Sequence, residues 1–239
     1  MTTPALRLDH VSATRPSGRG PVRAVADLTL EVEPGEMVAL MGPSGSGKTS
    51  VLHLACGLLA PTSGLVAVDG VVRTVADRTG WTRARREAIG TVHQRLDLLP
   101  GMSVLDNVAL PLLLGRTSVR RAHDAARAAL ERVGRPDLAP AAVTELSGGE
   151  QQQVAIARAT VGDRHLLLAD EPTAALDSAT AERVVRLLAD LARGGTAVVM
   201  ATHDTRLAGW ADRTVFLRDG RVVDGTPTPS DPLIDGGLL

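Results

Sequence analysis

The chain has 239 residues, 44% apolar and 22% charged, which suits a folded protein with a substantial core. A net charge of −1 excludes a global field for nucleic acid or anionic lipid, and Trp81, Trp210 and Phe216 are too few rings for base stacking as a main activity. A single cysteine, Cys56, excludes an internal disulfide and suits a reducing compartment. The opening MTTPALRLDH has no basic segment followed by an apolar run, so no signal peptide is expected. Runs such as VALPLLLG fall short of the roughly 18 residues of a membrane span, so by itself the chain is expected to stay in water.

In chain order, LTLEVEPGEMVALMG opens a β region, with Leu28, Leu30 and Val32 alternating before a turn at Pro34-Gly35. The unbroken apolar run from Met37 to Met41 predicts a strand covered on both faces. A glycine-rich loop follows, then a helix from Thr49 to Leu59 closed by Ala60-Pro61. GLVAVDGVVRTV predicts a short β hairpin turning at Asp69-Gly70. From about residue 81 the pattern turns helical: SVRRAHDAARAALERVG has helical spacing and stops at Gly134 with Pro136 beyond, and SGGEQQQVAIARATVG predicts another helix. The arginine clusters of this stretch, at 83, 85 and 86 and at 116, 120 and 121, read as solvated faces. Strand-like HLLLAD, TAVVMATHD and the hairpin RTVFLRDGRVV return afterwards, with a helix in SATAERVVRLLADLARGG between the first two. Strands alternating with helices predict a parallel α/β sheet carrying a helical insertion, and the Pro- and Gly-rich end predicts a loose tail.

The stretch GPSGSGKTS comprises Gly42, Pro43, Ser44, Gly45, Ser46, Gly47, Lys48, Thr49 and Ser50. It fits the Gly-x4-Gly-Lys-Ser/Thr pattern between a strand and a helix. Its glycines let successive N–H groups curl inward around phosphate oxygens, and the following helix adds its N-terminal dipole. Lys48 is the only lysine among 26 basic residues. A compact ammonium fits a narrow nest that would crowd a guanidinium, and there it bridges β- and γ-phosphates while the Thr49 hydroxyl completes a Mg²⁺ shell. The pattern therefore predicts a nucleoside triphosphate. HLLLADEP adds Asp170 at a strand's C-terminal edge, where it would hold Mg²⁺ through water, and Glu171, which would polarise the attacking water as general base.

LSGGEQQQVAIARA adds a capped helix start, with Ser147 and Glu150 at capping-box spacing around Gly148 and Gly149, and so a second anion-binding terminus. Here the sequence resembles the nucleotide-binding subunits of ABC transporters, over residues 6 to about 224. The further marks are Gln94 in IGTVHQRLDLLP, Asp177 in EPTAALDSAT and His203 in VVMATHD. The resemblance implies an α/β P-loop NTPase (RecA-like) core with an antiparallel β region and an inserted helical subdomain. The cassette would span residues 1–224, with its core at 1–89 and 163–224, the helical subdomain at 90–162, and a flexible tail at 225–239.

It also implies an ATPase using ATP and Mg²⁺, working as a head-to-tail homodimer in which each signature covers the partner's ATP. Gln94 would touch Mg²⁺ and the water, Asp177 would reach across the dimer, and His203 would contact the γ-phosphate and hold the water of Glu171. The wording of PTSG, LLPGMSVLDNVALPLLL and LLLADEPTAALDSAT resembles the lipoprotein-release and macrolide-export branch. Its partner is a membrane permease, expected to dock at residues 95–108, from Arg95 to Val108, with Leu96, Leu98 and Leu99 as an apolar seat. The expected location is the cytoplasmic face of the membrane, with no nucleic-acid partner.

Three departures stand out: Arg15 lies where the family places an aromatic ring under adenine, His93 where it often has Phe, and Gln153 where it commonly has Arg. Transmembrane mechanical signalling without cargo, as in a cell-division relative, fits the same motifs. A DNA-repair or translation ATPase is the weaker alternative, since the chain lacks sustained heptads, clustered cysteines and a second cassette.

Overall fold

The computed structural model describes residues 3–16, 18 and 20–223, so the expected tail at 225–239 lies outside the described residues. The strands are β1 (Leu6–Arg15), β2 (Val22–Val32), β3 (Met37–Met41), β4 (Ser63–Val68), β5 (Val71–Arg73), β6 (Ile89–Val92), β7 (Leu166–Asp170), β8 (Ala197–Ala201), β9 (Arg213–Arg218) and β10 (Arg221–Val223). The helices are α1 (Lys48–Ala55), α2 (Arg78–Glu87), α3 (Val104–Leu114), α4 (Val119–Arg132), α5 (Gly148–Ala159), α6 (Ser178–Arg193) and α7 (Thr205–Ala208). They form an antiparallel sheet in the order β2-β1-β4-β5 and a six-stranded sheet in the order β10-β9-β3-β8-β7-β6. The second is parallel except for the β10 edge.

Every residue of β3, β7 and β8 is buried, as unbroken apolar runs require of strands covered on both faces. The period-two pleat divides β7 between two cores. Leu166 and Leu168 face a core shared with Leu8 and Leu30 of the antiparallel sheet. Leu167 and Ala169 face one shared with Leu188 of α6 and Met200. A third cluster belongs to the helices alone, with Val104, Val108, Ala126, Leu130, Val154 and Ala157 at its centre. The helical part thus has a core of its own.

Two boundaries differ from the sequence reading. The helix expected to run to Leu59 stops at Ala55, because Gly57 turns left-handed at φ 68° beneath Trp81, where a Cβ would come within 2.2 Å of the indole. The boundary expected at residue 90 falls inside β6, whose Ile89 pairs with Leu166 in the parallel sheet. IGTV is too short for its periodicity to separate it from the helices around it. Residues 89–92 therefore belong to the parallel sheet.

Candidate active site

The phosphate loop joins β3 to α1 and is closed by glycines that nothing larger could replace. A Cβ on Gly42 would lie 2.1 Å from the Leu217 carbonyl oxygen, and one on Gly47 would lie 2.5 Å from that of Ala24. Gly47 caps α1 at φ 109° with no side-chain acceptor, so the first N–H groups of the helix remain available to an anion. Lys48 Nζ donates to the carbonyls of Gly42 at 2.6 Å and Pro43 at 3.2 Å. Inside the loop, the Ser46 hydroxyl is buried without a hydrogen-bond partner among the described residues. A glycine cradle, an orphaned hydroxyl and an uncapped helix start suit a bound phosphate chain.

The end of β7 brings the carboxylates to this loop. Thr49 Oγ1 donates to Asp170 Oδ2 at 2.8 Å, and Asp170 is 5% exposed. Among the described residues no group of three or more His, Cys, Asp or Glu could hold a metal. A hydroxyl and a carboxylate are hard oxygen donors of the set Mg²⁺ takes when phosphate oxygens supply the rest. Glu171 follows in the left-handed region at φ 49°, an unfavourable conformation for a non-glycine residue, and its N–H donates to the Ala201 carbonyl. Both of its carboxylate oxygens lie 3.0 Å from His203 Nδ1 at the end of β8. The structure thus joins Thr49 to Asp170 and Glu171 to His203, bringing the neighbours Asp170 and Glu171 to partners 121 and 32 positions away.

Other expected residues are placed differently. Gln94 is exposed just past β6, and its side chain makes no protein hydrogen bond among the described residues. The Arg15 guanidinium, at the end of β1, donates to His53 Nδ1 of α1 at 2.6 Å. Arginine has only donors, so His53 accepts there and carries its proton on Nε2. His53 meets His93 edge to face, with ring centroids 5.9 Å apart. Burial pushes both imidazoles below their ordinary values, and the Arg15 charge adds to this at His53. Burial likewise pushes the Cys56 thiol up to about 11, which makes it an inert core residue.

Ser147 caps α5, and Glu150 returns the capping box by accepting from the Ser147 N–H at 2.9 Å. Beside them Asp177 caps α6, accepting from the N–H groups of Ala179 and Thr180, so its carboxylate is folded onto its own helix. Ser147, Gly149, Glu150 and Asp177 share the wall of one cavity of about 450 Å³. No hydrogen bond or ion pair among the described residues joins this group to the phosphate loop. The phosphate loop and the start of α5 therefore form two separate groups.

The docking stretch expected from Arg95 to Val108 is partly interior. Val104, Asn107 and Val108 are 0% exposed, and Leu98 packs on the helical core, whereas Leu99 is open to solvent. Asn107 fastens the turn before α3, accepting from the Leu99 N–H and donating to the carbonyls of Leu99 and Ser103. Arg158, near the end of α5, donates to the carbonyls of Leu96 and Asp97. Neither anchor was visible in the motifs, because each binds backbone and leaves no side-chain partner to pattern.

The family model described as ABC transporter matches residues 25–174. The chain belongs to the ABC transporter family. Over 222 residues this cassette is 42% identical to the lipoprotein-releasing system ATP-binding protein LolD of Bordetella pertussis, covering 92% of this chain and 96% of that one. It is 38% identical to the macrolide export ATP-binding/permease protein MacB of Chromobacterium violaceum over 96% of its own length and 36% of that larger protein. The dimeric structure of the bacterial ABC transporter cassette MJ0796 superposes with a TM-score of 0.86 at 37% identity, covering 91% of this chain and 96% of that one. A second structure of MJ0796 is a post-hydrolysis state bound to ADP and Pi, with the same TM-score and identity. The present cassette is an ATP-binding, ATP-hydrolysing subunit. Among the described residues no helix is long and apolar enough to cross a membrane.

Proposed function

We propose that two copies of this cassette close head to tail on two ATP molecules and drive a membrane permease of the lipoprotein-release or macrolide-export type. The observation that carries this reading is the separation of the two half-sites. The phosphate loop with Asp170, Glu171 and His203 is one, and the capped start of α5 beside Asp177 is the other. Each has the chemistry of an anion site, and a second copy supplies what each lacks. The dimeric relative and the names of the LolD and MacB relatives support it.

In the closed pair, the N–H groups of residues 42–50 and the Lys48 ammonium would hold the triphosphate. The Thr49 hydroxyl and the Asp170 carboxylate, together with Gln94, would hold Mg²⁺. That ion, when bound, supplies charge neutralisation on the β- and γ-phosphates. Glu171 would accept a proton from the attacking water, and His203 would orient that carboxylate. Ser147, Gly148, Gly149 and Asp177 would complete the pocket of the partner. The Arg15 guanidinium, fixed by His53, offers a flat cationic face to the base in place of an aromatic ring. The working place of the cassette would be the cytoplasmic face of the membrane, held by the permease through residues 95–103.

Glu171→Gln tests the scheme. It should bind ATP, lose roughly a hundredfold or more in turnover and accumulate as a dimer in scattering or crosslinking. Normal turnover, or a monomer under saturating ATP, would contradict it.

A further inference from the structure

Arg135 stands between α4 and the turn Pro136–Leu138, outside every motif of the sequence. Its guanidinium nevertheless reaches the signature helix at two points. Nη2 donates to Glu150 Oε1 at 2.7 Å and Nη1 to Gln153 Oε1 at 3.2 Å, while Nε and Nη2 grip the Asp137 carboxylate at 3.1 and 3.0 Å. The Gln153 amide in turn donates to the Val133 carbonyl, which ties the arrangement to the end of α4. Arg132 and Arg183 line the same cavity but are engaged elsewhere, with the Thr160 carbonyl and the Thr180 hydroxyl. Arg135 is the cation paired with Glu150.

The partner it holds matters. Glu150 is an acid in the first turn of a helix whose N-terminus is to receive phosphate, and it engages the Ser147 hydroxyl at 2.8 Å. An unpaired carboxylate there would set its own negative charge against the incoming triphosphate. The guanidinium neutralises that charge and holds Oε1 while Oε2 stays on Ser147, so that the N–H groups of Gly148 and Gly149 keep an anion site.

Resting on the two-copy reading above, we propose that Arg135 is a positioning residue of the composite nucleotide site: it restrains and neutralises Glu150 so that the helix start at Gly148 and Gly149 can accept the triphosphate of the second copy. The Arg135 contribution therefore falls on dimer closure and leaves binding of ATP to the separate subunit alone.

The test uses the full chain carrying Glu171→Gln, with Arg135→Ala, Arg135→Gln and each of these combined with Glu150→Gln. ATP-driven dimerisation is followed by analytical ultracentrifugation, and nucleotide affinity of the dilute monomer by a fluorescent ATP analogue. Arg135→Ala should raise the ATP concentration needed for dimerisation about tenfold, with monomer affinity unchanged, and Glu150→Gln should restore most of the loss by removing the charge. Arg135→Gln, which keeps the stem, should behave as the alanine variant. Parental dimerisation in the single variants would overturn the proposal. So would a defect that Glu150→Gln leaves unrepaired, or failure of both single variants to fold, since either makes Arg135 a structural residue only. A Glu171→Gln parent that stays monomeric would instead sink the two-copy reading itself.

Discussion

Lys48 shows how a single side chain is selected by the size of its seat. Its ammonium reaches the carbonyls of both Gly42 and Pro43, inside a loop where Gly42 and Gly47 already press against the backbone of Leu217 and Ala24. A guanidinium is planar, wider and carries its charge in a fixed fork, so it cannot turn within that nest as three rotatable N–H donors can. Lys48→Arg keeps the charge and should still lose ATP affinity by about tenfold or more, as read by calorimetry. Binding equal to that of the parent would show that charge alone suffices. Glu171 is the complementary case of selection by function. Its left-handed backbone disfavours any side chain, yet it places a carboxylate beside His203, where the proposed water chemistry would use it.

Among the elements, α5 is the connector. Its 12 residues span roughly 18 Å, from the capped start at Ser147 to Arg158 at the other end. The first end belongs to the proposed pocket of the second copy. The last holds the carbonyls of Leu96 and Asp97, in the segment that leads from Gln94 toward the proposed permease seat. Burial pushes the Arg158 guanidinium below its ordinary value, which reflects how much of it is withdrawn from water to make these bonds. Arg158→Ala should strip two carbonyls of their donors, cost about 1–3 kcal/mol in a urea melt, and speed hydrogen exchange at residues 94–100. Unchanged exchange there would mean that the segment is held by Asn107 alone.

For the whole molecule, what was legible in the sequence is what lies contiguous in it. The phosphate loop, the Asp170–Glu171 pair and the Ser147–Glu150 cap are short strings whose spacing states their chemistry, and the structure adds the distances. Of the parallel sheet, β3, β7 and β8 were legible from unbroken apolar runs and β9 only as half of a hairpin, while the four residues of β6 carry too little pattern. Arg135, Asn107 and Arg158 were not legible, because loop or backbone contacts across 8 to 62 positions leave no local periodicity. The helical cluster around Val108, Leu130 and Val154 also emerges only in three dimensions, with Ile156 and Ala159 of α5 packing instead against the sheet.

The scarcity of lysine has a practical outcome. Apart from an α-amino group, an acylating reagent finds one amine on the whole polypeptide, and that amine sits in the glycine loop proposed to hold the triphosphate. Mass spectrometry of the modified chain should therefore report cradle occupancy directly, with labelling of Lys48 suppressed by ATP, and equal labelling with and without nucleotide would show that the ammonium does not engage it.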